Sequence, residues 1–201
     1  MTALPNPFIY GKIVYEDDFF DRTKERKRLL QLLQGRNNVL ILGDRRIGKT
    51  SLLLNCFEEL KKKNKSIFYF NLDPITSTKS FIERYGQLFT KKKSLAKRAV
   101  YLLKLCLKGF KLDIQLDDKG IPTASIQWEG AGKLSLTSLQ EILELPQILA
   151  RKGRQRFIIC FDEFQIARDM EDADLISEMR AAFQKHDKIT YVFMLLSARK
   201  D

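Results

Sequence analysis

Gly43-Asp44-Arg45-Arg46-Ile47-Gly48-Lys49-Thr50 is the stretch of this 201-residue chain whose residue types and spacing carry the most chemistry. It fits G-x-x-x-x-G-K-[ST] without exception. Gly43 and Gly48 let the backbone wrap closely, so that successive N–H groups point at phosphate oxygens, and the positive end of a following helix dipole strengthens that field. Lys49 is placed to reach β- and γ-phosphates as a point charge, and the Thr50 hydroxyl to ligand Mg²⁺. Asp44, Arg45, Arg46, Ile47 and Ser51 complete the candidate nucleotide-contacting stretch. The competing reading, an ordinary glycine-rich turn, has to explain why the pattern stands between an apolar run and a helical one.

A phosphate loop needs a carboxylate at the end of a neighbouring strand to hold the magnesium shell, and Asp162 follows the five apolar residues 157–161. Glu163 comes directly after it, where a carboxylate can polarise a water for attack on the γ-phosphate. The pair also reads as a strand terminus that caps whatever follows. At the end of the last apolar run stands Ser197, which can contact the γ-phosphate or the attacking water; a strand ending in Ser needs no function at all. Arg199 is a candidate charge-stabilising arginine with no pattern to support it.

The elements that must position these groups are legible from periodicity. Val39 to Leu42 is a short buried strand, and a helix with Leu52, Leu53, Phe57 and Leu60 on one face runs from Ser51 to about Lys63. Ser66 to Leu72 is a second strand, closed by Asp73-Pro74, and residues 77–109 read as two helices separated near Lys91 to Ser94. Residues 111–116 and 124–128 alternate polar and apolar around Asp117-Asp118-Lys119-Gly120, a hairpin signal. Leu136 to Lys152 is helical except that Pro146 predicts a kink or a helix start. A third strand over 156–161, a helix over 171–186 and a fourth strand over 189–196 follow. Strands alternating with helices imply a parallel α/β sheet with the hairpin inserted.

Composition excludes several classes. With 44% apolar residues and 14 Phe the chain folds around a core, and no apolar run approaches the ~18 to 20 residues of a membrane-spanning helix. The first residues have neither the basic start nor the apolar stretch of a secretory signal, so a cytoplasmic location is expected. Cys56, Cys106 and Cys160 read as reduced, buried thiols, and a single histidine, His186, leaves Ser-His and most metal chemistries without their usual parts. The net charge of +11 is uneven, because residues 61–111 carry 14 Lys and Arg against two Asp and Glu. That segment includes a basic amphipathic helix with Lys97, Lys104, Lys108 and Lys111 opposite Val100, Leu103 and Leu107. It is a candidate surface for nucleic acid, an anionic membrane or a partner protein, and equally reads as a solvated face. Tyr101 and Trp128 read as packing residues rather than base-stacking platforms.

Asn6-Pro7-Phe8 with Tyr10-Gly11, Phe19-Phe20-Asp21-Arg22 with Glu25 and Leu29-Leu30, the Leu42 to Leu53 stretch with its Arg45-Arg46 pair, and Phe161-Asp162-Glu163 together resemble the archaeal-type ATPases. These are P-loop proteins related to the AAA+ and STAND groups, and the resemblance runs in order over nearly all of residues 6–197. It implies a P-loop NTPase fold, AAA+-like, a three-layer sandwich with a mainly parallel sheet. It also implies ATP rather than GTP as nucleotide; consistently, no guanine-reading Asn-Lys-x-Asp set follows the third strand. By the same analogy Phe20, Asp21 and Arg22 lie near the adenine, within an N-terminal segment 1–35, and residues 75–150 form a basic helical and hairpin insertion. Members usually continue past the Ser197 strand with a fifth core strand, a helical lid and often a winged-helix domain, none of which is expected in these 201 residues. The expectation is then an exposed sheet edge along Val39 to Leu42, open to a partner or a second copy. The reading is an ATPase that hydrolyses Mg-ATP, when complete or assembled, to drive a conformational switch. The alternatives are a nucleic-acid-binding module gated by its nucleotide and an inactive scaffold.

Overall fold

The computed structural model describes residues 22–107, 110–116, 120, 122–129, 136–170 and 174–197. Four parallel strands, β1 (Val39–Gly43), β2 (Ser66–Asn71), β5 (Phe157–Asp162) and β6 (Ile189–Leu196), form one sheet in the order β1-β6-β5-β2. The hairpin of β3 (Phe110–Leu116) and β4 (Pro122–Trp128) makes a separate antiparallel pair, with Phe110 opposite Trp128 and Leu116 opposite Pro122.

Alternation along the strands sorts side chains onto the two faces of the sheet. Ile158, Cys160, Val192 and Met194 face α1 (Thr23–Gln34) and α2 (Lys49–Lys62), where they meet Leu30, Leu33, Leu53 and Phe57. Phe157, Ile159, Phe161 and Tyr191 face the other way, into a core shared with α3 (Thr78–Thr90), α4 (Lys93–Cys106), α5 (Leu136–Lys152) and α6 (Leu175–Phe183). Phe161 stands at its centre, stacked on Phe183 with centroids 5.7 Å apart and edge-on to Phe70 at 6.0 Å. The result is the expected three-layer arrangement, and the hairpin packs on α3 and α4 rather than extending the sheet.

The structure corrects four sequence expectations. Of the kink or helix start expected at Pro146, the start is excluded: α5 runs through it, because buried Ile142, Leu143, Leu145 and Leu149 hold the turn that a missing N–H weakens. Lys111 belongs to β3, not to the basic helix, and pairs with Glu129 at 3.2 Å. Tyr101 is no packing residue: it is 59% exposed, since the buried stripe of α4 falls at Leu95, Ala99, Leu102 and Leu103 and leaves position 101 outside. The helix expected over 171–186 is shorter, with Asp174 accepting the Ser177 N–H at 2.9 Å as the cap of α6. Cys56 and Cys160 are buried free thiols as expected. Phe20, Asp21, Lys108, Arg199 and the side chains of Cys106 and Trp128 lie outside the described residues. Among the described residues no helix is long and apolar enough to cross a membrane.

Strand β1 is an edge of the sheet, with Leu40 and Leu42 each 58% exposed. The expected open edge along Val39 to Leu42 is therefore present in the described residues.

Candidate functional site

The loop between β1 and α2 is shaped by its glycines. Gly48 adopts φ +81°, a left-handed conformation that positions it as the cap of α2, and Arg46 before it is also left-handed at φ +63°. Gly43 is needed for closeness instead: a Cβ there would stand 2.4 Å from Ile47 Cδ1 and 3.4 Å from Lys49 Cδ. The first intrahelical bond of α2 runs from the Leu52 N–H to the Gly48 carbonyl at 3.0 Å, so the Lys49 and Thr50 amides face out of the helix end. The Lys49 ammonium folds back over the loop, donating to the carbonyls of Gly43 (2.6 Å) and Asp44 (2.7 Å). Asp44, Arg45, Arg46 and Ile47 are exposed around this turn, and Ser51 sits half-buried in the first turn of α2.

Asp162 is 7% exposed at the carboxyl end of β5. The sequence places it on a strand next to β1, but β6 lies between the two. The carboxylate still reaches the loop, because the Thr50 hydroxyl, in the first turn of α2, donates to Asp162 Oδ2 at 3.3 Å. Two further donors hold it: the Glu163 backbone N–H, 2.8 Å from Oδ1, and the Tyr69 hydroxyl on Oδ2. Burial, then the bonded Asp162 carboxylate, push the Tyr69 phenol far above its usual range, so it remains a donor.

Glu163 adopts φ +52° and ψ +41°, the left-handed region, which is costly for a residue with a side chain and recurs at functional sites. Its carboxylate accepts from Gln165 Nε2, and Gln165 Oε1 in turn accepts the Leu196 N–H at 3.4 Å, so β6 helps to aim it. Ser197 completes the ring: its N–H donates to the Gly43 carbonyl at 3.2 Å and its hydroxyl bonds the Asp44 carboxylate. Lys49, Thr50, Asp162, Glu163 and Ser197 thus converge at one end of the parallel sheet, the carboxyl end where α/β folds bind ligands. Arg22 is the exception. It caps α1 through its carbonyl, and no described hydrogen bond links it to the loop; the next turn of α1 is tied instead to the side of α2 by Arg26–Glu59 at 2.9 Å.

Tyr69 and Gln165 escaped the sequence reading. Alternation on β2 already assigns Tyr69 to the α2 face with Ile67, but only the register Tyr69 to Cys160 brings it diagonally beside Asp162. Thr50 and Asp162 offer a hydroxyl and one carboxylate, hard oxygen donors of the kind that hold Mg²⁺ together with phosphate oxygens. Among the described residues no group of three or more His, Cys, Asp or Glu could hold a metal by itself.

Comparison with known structures agrees with this architecture. The Walker-type ATPase of Pyrococcus abyssi superposes with a TM-score of 0.55 at 19% identity, covering 94% of this chain and 49% of that one. The ORC2 protein of Aeropyrum pernix with ADPNP and ADP gives 0.51 at 17% identity, covering 95% and 44%. The ORC1 protein of the same organism, in complex with DNA, gives 0.51 at 14%, covering 88% and 39%. At these identities the likeness is one of fold, and the chain spans half or less of the length of each. No curated protein matches the sequence. The family described as an ATPase domain predominantly from Archaea matches residues 19–198, a span that takes in the loop, the Asp162 strand end and Ser197, and the chain belongs to that family.

Proposed function

We propose that this domain binds ATP with Mg²⁺ at the Gly43–Thr50 loop and hydrolyses it. The observation that supports this best is the Thr50–Asp162 contact, which joins the phosphate loop to an acidic strand end two strands away. The loop amides and Lys49 bind the β- and γ-phosphates, as a set of oriented dipoles and a point charge. Thr50 and Asp162 are the residues that would hold Mg²⁺, which neutralises charge on the phosphates when bound. Glu163 orients a water toward the γ-phosphorus and takes its proton as the bond to the β-phosphate oxygen breaks, releasing ADP and phosphate. Ser197, beside the loop, is positioned to read the γ-phosphate from β6. Movement of the Glu163–Gln165–Leu196 chain between the two nucleotide states would supply a conformational switch.

Two kinds of partner accompany this reading. The exposed β1 edge suits a further strand from a partner or a second copy, and the basic segment 61–111 suits an anionic partner. The Aeropyrum ORC1 structure with DNA makes nucleic acid the natural candidate. Calorimetric titration with Mg-ATP, with a phosphate-release assay beside it, tests the proposal. Lys49→Ala is expected to lose binding, and Glu163→Gln to bind ATP yet release no phosphate. A folded wild type that binds no Mg-ATP would overturn the reading.

A further inference from the structure

Every strand of a parallel sheet starts at one end, and here that end, opposite the phosphate loop, carries a groove of about 600 Å³ lined by Lys65, Arg151, Arg154, Arg156 and Lys188. The register pairs Ser66 with Phe157 and Phe157 with Ile189. The residues just before them, Lys65, Arg156 and Lys188, therefore stand in a row across three neighbouring strands, spaced by about 4.8 Å. Two more cations reinforce the row from α4 and the turn before it. Lys92 donates to Ser66 Oγ at 2.7 Å, and Ser66 in turn donates to Gln155 at 2.9 Å. Arg98 Nη1 lies 3.6 Å from where a Cβ on Gly153 would be.

Little negative charge opposes them. Asp187 is engaged by Arg151 at 3.0 Å and lies 3.9 Å from Lys188. Arg156 donates to the Asp187 backbone carbonyl at 3.0 Å, which aims the guanidinium without neutralising it. Among the described residues Lys65 and Arg154 have no ion-pair partner. Helices α2, α3, α5 and α6 end here, and each carboxyl terminus carries about half a negative charge. Those termini and Asp187 amount to about −3 against seven cations, so satisfying helix ends does not account for the cluster. The groove is also preformed. Its rims are the turns at Asn64 (φ +57°) and Arg154 (φ +50°), closed by the bonds from the Lys65 N–H to the Leu60 carbonyl (3.1 Å) and from the Gln155 N–H to the Ala150 carbonyl (2.9 Å).

We propose that this groove holds the phosphate backbone of a nucleic-acid strand, at the far end of the sheet from the ATP loop. A recessed row of cations on three neighbouring strands offers successive charges to a repeating polyanion, and guanidinium forks suit phosphate oxygens. A membrane would call for a flat or convex basic face instead. Most of the groove lies outside the Lys-rich 61–111 segment, and the inference stands without the nucleotide site.

Fluorescence anisotropy with a labelled 20-nucleotide single-stranded DNA, measured against salt, tests it. Lys65→Gln/Arg154→Asn/Lys188→Gln removes three groove charges, with Asn chosen because it tolerates the left-handed backbone at 154. The slope of log affinity against log salt is expected to fall by about two, which is about 100-fold weaker binding at 0.1 M salt if affinities converge near 1 M. Lys24→Gln/Lys27→Gln/Lys79→Gln removes the same charge elsewhere and is expected to change the slope by well under one. Equal losses in the two variants would make the effect one of net charge and overturn the groove. So would a wild type that fails to bind at about 50 mM salt, or that prefers polyglutamate or phosphatidylserine vesicles to DNA. If the triple variant melts early, Lys65→Gln/Lys188→Gln carries the test with an expected slope change of about 1.4. Lys49→Ala should lose ATP and keep DNA, which separates failure of this proposal from failure of the nucleotide reading.

Discussion

Replacing Tyr69 by Phe removes one hydroxyl, keeps the ring, and so isolates what that hydroxyl does for Asp162. The carboxylate is 7% exposed and accepts from Tyr69, from Thr50 at 3.3 Å and from the Glu163 N–H at 2.8 Å. A hydrogen bond to a charged group contributes about 1.5 to 3 kcal/mol. Tyr69 is only half-buried, so water partly replaces the lost donor and the low end applies. Thr50 does not compensate, because its bond to the same oxygen is already long. The expected cost is about 1.5 kcal/mol, a fall in Tm of about 3 to 6 °C for a domain of this length. Urea denaturation and calorimetry of Tyr69→Phe, Asp162→Asn and the double variant measure it as a cycle, with a coupling of about 1 kcal/mol expected. A Tyr69→Phe stability within about 0.3 kcal/mol of wild type, or strict additivity in the cycle, would refute the assignment of Tyr69 as one of the donors that hold Asp162.

Gly86→Ala sets helix propensity against packing. The added Cβ gains about 1 kcal/mol of propensity in α3 but meets Ile126 Cδ1 at 2.6 Å, Leu103 Cδ2 at 3.0 Å and Ile142 Cδ1 at 3.2 Å. Overpacking costs about 1 to 3 kcal/mol, so a net loss of about 1 kcal/mol is expected in the urea midpoint, and a stabilised variant contradicts it. Alkaline pH should unfold the domain gradually. Burial pushes the Cys56 thiol from its ordinary 9.0 up to about 11, and raises the Tyr69, Tyr85 and Tyr191 phenols as well. The folded state then keeps protons that the unfolded chain releases, so the Cys56 contribution is complete below about pH 9 and disappears as pH rises through about 11. Cys56→Ala should flatten that part of the profile; a wild-type stability constant up to pH 11 would exclude it. Thr50→Ala and Asp162→Asn are each expected to weaken Mg²⁺ dependence of ATP binding by about 10 to 100-fold, read by titration with and without EDTA. Unchanged Mg²⁺ dependence in both would remove them as the metal's ligands.

The shape of the loop was legible because Gly43 and Gly48 act through local backbone geometry, which a contiguous motif encodes. The strands were legible for a related reason: apolar runs such as Phe157–Phe161 have one physical use in a chain of this composition. Asp162 and Glu163 stood out because two carboxylates directly after a buried strand fall at the sheet's carboxyl end, where an α/β fold meets its ligand. Local patterning misplaced Tyr101 and Lys111, since a stripe on a helix wheel does not tell where the helix ends or which face a neighbour covers.

What only the tertiary structure decided depends on which strands become neighbours. The order β1-β6-β5-β2 puts Ser197 against Gly43, brings Tyr69 to Asp162 through the β2–β5 register, and lets Gln165 link Glu163 to β6. The same order lines up Lys65, Arg156 and Lys188, which lie 91 and 32 positions apart in the chain, into one row. Period and composition report on a residue's own element, whereas pairing energies between distant strands are set by the whole packed core. The sequence by itself therefore determined the residues proposed to touch phosphate, and the fold alone determined which residues aim them.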